Sequence, residues 1–162
     1  MDSRNPYTAP EARLSDPVLR PGSPYKAVAL GLLADFGGTV AVSIVIAFVY
    51  SVMLAGAGTA PEDIEAALKA VSPDSLYFWI GAIGGCACSV LGGYVCARIA
   101  RQSEYTLGAI LAAIGVVLAL LFFGGGGPDV GMAIVLNAAT VAAVIVGAHI
   151  GKKRNRRARE RI

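Results

Sequence analysis

The stretch "IGAIGGCACSVLGGYVCAR", Ile80–Arg98, holds all three cysteines of the chain and no charge before its last residue. Its apolar character is unbroken, with none of the apolar/polar alternation of a half-buried strand. At 100° per residue, Gly81, Gly85, Ser89, Gly93 and Ala97 form one ladder at i+4, and Gly84, Cys88, Gly92 and Cys96 form a second beside it. The two ladders make one smooth strip on a helix, with Ile83, Ala87, Val90 and Tyr94 expected on the opposite, lipid-facing side. Small residues at this spacing let membrane helices approach until their backbones touch. The reading is therefore a transmembrane helix built for close packing.

The rest of the chain agrees. Of 162 residues 56% are hydrophobic and only 15% charged, against about a quarter charged in soluble domains. A bilayer of about 30 Å hydrocarbon needs about 20 apolar residues in a helix. Four segments meet this, at about Leu32–Ala55, Leu76–Ile99, Tyr105–Phe123 and Val130–Ile150. The runs are continuous, which favours helices over barrel strands. The expected fold is an all-α membrane protein, a four-transmembrane-helix bundle over residues 26–150. A disordered arm over 1–25 precedes it, and a basic tail over 151–162 follows.

Charge sets the orientation. Arg20 and Lys26 precede the first span, Arg98 and Arg101 follow the second, and the tail "GKKRNRRARERI" follows the fourth. Lys69 is the one basic residue of the other two loops, Gly56–Ser75 and Gly124–Asp129. Cytoplasmic loops collect Lys and Arg, so both termini are expected inside. A cleavable signal is the rival for the first span, since Ala55-Gly56-Ala57 is A-x-A-like. The run before it is far longer than a signal's 7–15 apolar residues, and an uncleaved helix is expected.

The arm contains "NPYTAP" (Asn5–Pro10), which resembles the N-P-Y-x-x-P opening of small bacterial inner-membrane proteins that are mostly uncharacterised. The resemblance covers six residues, implies a bacterial cytoplasmic (inner) membrane, and carries over no functional residue. In the first outer loop, "TAPEDIEAALKAV" predicts a short amphipathic helix over about 60–71. Thr59 and Glu62 offer a capping box, and Ile64, Ala67, Leu68 and Val71 form one apolar face. Ser72 is expected to cap the second span, and Tyr77, Phe78 and Trp79 form an aromatic belt.

Chemistry has few candidates. Cys86 and Cys88 point to opposite sides of a helix, and Cys88 and Cys96 are two turns apart, about 12 Å. A Zn–S bond is about 2.3 Å, so the thiols read as packing residues, and no metal or cofactor is expected. There is no Ser-His-Asp set, no H-E-x-x-H and one histidine, so no enzyme is expected.

Asp35 is the one acid within an apolar run, and such residues are costly at membrane depth and often functional. Counting back about 20 residues from Ala57 places it at the headgroups, with Tyr25–Ala34 along the interface, whereas a tilted helix that starts at Lys26 buries it. Thr39, Ser43 and Tyr50 follow on its face. Asp35, Arg98 and His149 all fall near the inner boundary and form a candidate polar cluster. Asn137 is expected to hydrogen-bond a neighbouring helix. Lys152, Lys153, Arg154, Arg156 and Arg157 are expected to bind anionic lipid headgroups, and a tail without aromatic residues does not favour nucleic acid.

Two functions follow. One is a structural or accessory role through helix packing, as a homo-oligomer or with a membrane-protein partner. The other is a small transporter or channel with a polar path along the first and fourth spans. Four-helix multidrug transporters depend on a buried glutamate in the first span, and this chain has no glutamate in any span. The depth of Asp35 separates the two functions: protein-facing within the bilayer favours transport.

Overall fold

The computed structural model describes residues 22–123 and 130–160. The Asn5–Pro10 motif, the Gly124–Asp129 connection and residues 161–162 lie outside the described residues. The described chain is helical. Helix α1 spans Pro24–Gly56, α2 Pro61–Lys69, α3 Leu76–Ala100, α4 Glu104–Phe123 and α5 Val130–Arg159. Four of these, α1, α3, α4 and α5, are long and apolar enough to cross a membrane. The protein is a multi-pass, four-helix membrane bundle.

Helix α1 starts with Pro24 in its first turn, where a missing N–H costs nothing. It runs 33 residues without interruption, so Tyr25–Ala34 belongs to the spanning helix and not to a separate interfacial segment. Within it, Leu33–Gly37 is a π-helical turn, a feature frequent at functional sites. Gly58, at φ 87°, turns the chain out of α1; a side chain there would be strained.

Helix α2 is amphipathic as expected, with Ile64, Ala67 and Leu68 half-buried and Asp63 and Lys69 exposed. The Thr59–Glu62 capping box does not form. Ala60 is the N-cap and makes no side-chain bond, and Pro61 opens the helix. Ser72 does not cap α3 either. Ser75 does so, accepting from the Tyr77 N–H at 3.2 Å, while Ser72 accepts from the Asp74 N–H in the turn before it. Tyr77 stacks on Tyr50 of α1, with ring centroids 4.2 Å apart.

Helix α3 is the axis of the bundle, contacting α1, α4 and α5. Its small residues split between two seams. Toward α1, a methyl on Gly92 would come within 2.7 Å of Asp35 Cβ and 2.8 Å of the Gly31 carbonyl, and one on Gly84 within 2.8 Å of Val42. Cys88 and Cys96 fill the same seam beside Gly38 and Gly31. Toward α5, a methyl on Gly93 would collide with the Val144 carbonyl, and one on Gly147 with the Val90 carbonyl. Val90 and Tyr94 therefore back onto α5 and do not face lipid as expected. Gly81 meets open space and Gly85 only the Thr39 methyl at 4.0 Å.

The α5 helix does not stop at the membrane. It continues through the basic segment to Arg159. Asn155 there is buried, donating to the Ala97 carbonyl at 2.9 Å and accepting from Arg98 at 3.0 Å. The Gly22 N–H bonds the Ala100 carbonyl at 3.1 Å, so the start of α1, the end of α3 and the α5 extension meet at one end. Lys26, Arg98 and Lys152 lie at that end, and the excess of basic residues assigns it to the cytoplasm.

The two halves of the bundle differ. Ala27, Cys96, Ala100, Leu111, Ala112 and Val144 form a packed core in the cytoplasmic half. In the outer half, the Gly38–Gly56 part of α1 has no buried residue. It leans on α3 and α2, and a gap opens between it, α4 and α5.

Candidate functional site

That gap is a cleft of about 460 Å³. Its apolar walls include Leu32, Phe36, Val40, Ile44, Leu118 and Ala119. Its polar groups are Asp35, Thr39 and Ser43 from α1, Ser89 from α3, and Asn137 and Thr140 from α5. A mostly apolar hollow with a few convergent polar groups is the usual form of a small-molecule site.

Asp35 sits in the π-helical turn at the cytoplasmic end of the cleft and is buried, at 8% exposure. The Ser89 hydroxyl donates to its Oδ1 at 2.8 Å. Asp35 is nine residues from Lys26, and Ser89 is nine from Arg98. Both counts place the pair about 13 Å inside the basic rim, close to the middle of a core about 30 Å thick. This agrees with the reading in which α1 starts near Lys26 and Asp35 is buried. The 20-residue count assumed a helix ending where the bilayer does, whereas α1 runs 33 residues.

The polar cluster of Asp35, Arg98 and His149 does not form among the described residues. Each has a different partner. Arg98 Nη1 donates to Asn155, and the Tyr105 hydroxyl and His149 Nδ1 share a bond of 2.8 Å. The physical reason is depth, since Arg98 is two and a half turns nearer the cytoplasm than the residue facing Asp35.

Asn137 is corrected too. Its Nδ2 donates to the Ala133 carbonyl of its own helix at 2.8 Å, not to a neighbour, and Thr140 donates likewise to Leu136 at 3.0 Å. Both satisfy their donors within α5 while lining the cleft.

The ion pairs among the described residues, Lys69–Glu65 and Arg156–Glu160, lie outside the spans. Ser89 supplies a neutral hydroxyl only. Among the described residues no ion pair reaches Asp35, and an uncompensated charge in hydrocarbon is costly. The three cysteines are free thiols, and no group of three His, Cys, Asp or Glu among the described residues comes together to hold a metal.

Among the tail residues, Lys152, Lys153, Arg156 and Arg157 line a second hollow with Tyr105 and His149. Arg154 points elsewhere and donates to the Tyr94 hydroxyl at 3.1 Å. Sequence reasoning missed Asn155, hidden within a charged run. It also missed Gly147 and Gly151, although their i+4 spacing was a readable signal.

No family model matches the chain, and no curated protein or solved structure matches it. The functional reading rests on the cleft itself.

Proposed function

We propose that the protein is a small transporter in a bacterial cytoplasmic membrane that exchanges an amphipathic organic cation for a proton in the cleft. The observation that carries this reading is Asp35, buried and lining the cleft with a neutral hydroxyl as its hydrogen-bond partner. Its depth favours transport over an accessory role by helix packing. A carboxylate that lacks a fixed counter-charge holds a proton or a visiting cation, and the two compete. The apolar walls match the body of such a ligand, and Thr39, Ser43, Asn137 and Thr140 supply polar contacts. The packed core of Ala27, Cys96, Ala100, Leu111, Ala112 and Val144 closes the path on the cytoplasmic side. The bacterial location rests on the Asn5–Pro10 resemblance. No catalytic residue enters this reading.

The test is calorimetry on the purified protein with tetraphenylphosphonium as the probe. Binding is expected to weaken as pH falls, to release one proton per cation, and to be lost in Asp35→Asn. Equal affinity in Asp35→Asn, or binding without proton release, would overturn the exchange.

A further inference from the structure

The cytoplasmic end carries a second hollow that the cleft does not explain. It measures about 370 Å³ and lies between the start of α4 and the extension of α5. Lys152, Lys153, Arg156 and Arg157 face it, against one acid, Glu160. Two features distinguish it from a run of solvated charge. First, its residues are held in place. The extension stays helical to Arg159, and Asn155 ties it to α3. Tyr105 bonds His149, Lys152 sits over the Tyr105 ring at 4.4 Å, and Glu160 holds Arg156 Nε at 3.1 Å. Second, exposed apolar residues lie on the span side of the hollow. One turn deeper on α5 lies Ile145, and one turn deeper on α4 lies Ala109, both exposed.

We propose that this hollow is a specific site for the phosphate of an anionic phospholipid of the cytoplasmic leaflet, with the acyl chains lying along α4 and α5. Lys152 and Arg156 are four residues apart, on one side of the helix. An ammonium and a guanidinium there contact a phosphate together, and Arg suits phosphate because its fork presents several N–H donors. Free inorganic phosphate shares the headgroup chemistry but has nothing to place on Ile145 and Ala109. This site is independent of the exchange proposed for Asp35.

The full chain, purified in detergent, is titrated with phosphatidylglycerol, phosphatidylcholine and inorganic phosphate, and bound lipid is counted by native mass spectrometry. The expected result is retention of phosphatidylglycerol alone. Lys152→Gln with Arg156→Gln is expected to weaken it about thirtyfold, at roughly a factor of five per charge. Lys152→Arg with Arg156→Lys keeps the charges and should retain most of the binding, which separates a lost site from a lost fold. Lys26→Gln removes a basic residue outside the hollow and should leave binding unchanged. Equal weakening by Lys26→Gln would reduce the effect to net charge and overturn the site. Equal binding of inorganic phosphate and phosphatidylglycerol would overturn the lipid assignment.

Discussion

Asn155 Nδ2 lies 2.9 Å from the Ala97 carbonyl, inside a segment that reads as a solvated basic tail. The same side chain accepts from Arg98 at 3.0 Å, so one amide joins the end of α3 to the α5 extension. Removing it takes the second of two donors from the Ala97 carbonyl, which still accepts from the Arg101 N–H, and takes from the Arg98 guanidinium its buried acceptor. Asn155→Ala is expected to destabilise by about 1–3 kcal/mol, read as a lower melting temperature in detergent. An unchanged melting temperature would mean that water replaces the amide without loss.

The glycines of α3 are predicted to differ sharply in tolerance. Gly93→Ala puts a methyl against the Val144 carbonyl and Gly92→Ala puts one against the Gly31 carbonyl, both backbone atoms that cannot rotate away. Each is expected to separate two helices and cost about 1–3 kcal/mol. Gly81→Ala meets nothing within 4 Å and Gly85→Ala only the Thr39 methyl at 4.0 Å, so both should be within about 0.5 kcal/mol of the parent. Equal sensitivity at all four positions in a thermal unfolding series would contradict the two seams.

On the outer surface, Lys69 Nζ lies 2.6 Å from Glu65 Oε1. The hydrogen bond first, and the charge second, hold the Glu65 carboxyl below its ordinary value. The sign follows. A depressed carboxylate stabilises the folded form above its unfolded value, and that contribution is lost as pH falls through the folded one. Both side chains are exposed, so solvent screens the effect. A carbon NMR titration of Glu65 should show its midpoint rising in Lys69→Gln. An identical midpoint would mean that the pair does not persist in solution.

Most of the fold was legible because hydrocarbon leaves the chain little choice. Four long apolar runs have to be helices, and the basic residues orient them. The small residues at Gly84, Cys88, Gly92 and Cys96 marked one contact face before any neighbour was known. A helical wheel could not assign neighbours, which is why Val90 and Tyr94 were read as lipid-facing. Asp35 stayed open between two depths for a related reason. Run length fixes how far a helix extends but not which part of it lies in the bilayer, and the pairing of Asp35 with Ser89, midway along α3, could not be read from α1 alone. The π-helical turn left no local mark in "LADFG", and Asn155 was masked by the charges around it. The polar lining from Asp35, Thr39, Ser43 and Asn137 was visible as a face of two helices. Its closure into a cleft depended on the outer half of α1 standing away from α4 and α5.

The Asp35–Ser89 bond makes the last prediction. Ser89 is buried at 2% exposure and its hydroxyl donates to the carboxyl across the α1–α3 seam. Ser89→Ala removes that donor without adding bulk, and is expected to cost about 0.6–2 kcal/mol, the range for hydrogen bonds between membrane helices. Asp35→Leu removes the acceptor and also the charged group that is expensive at this depth, so its net effect on stability is small or favourable. In an Asp35→Leu background Ser89 has no carboxyl to meet, and Ser89→Ala should then cost clearly less. The difference, a coupling of about 0.5–2 kcal/mol, is read from a double-mutant cycle of unfolding in mixed detergent. A functional readout separates positioning from mere support: Ser89→Ala should weaken tetraphenylphosphonium binding at fixed pH, because the hydroxyl holds the carboxyl in place beside the cleft. Additive stabilities with unchanged tetraphenylphosphonium affinity would show that Ser89 only fills space beside Asp35.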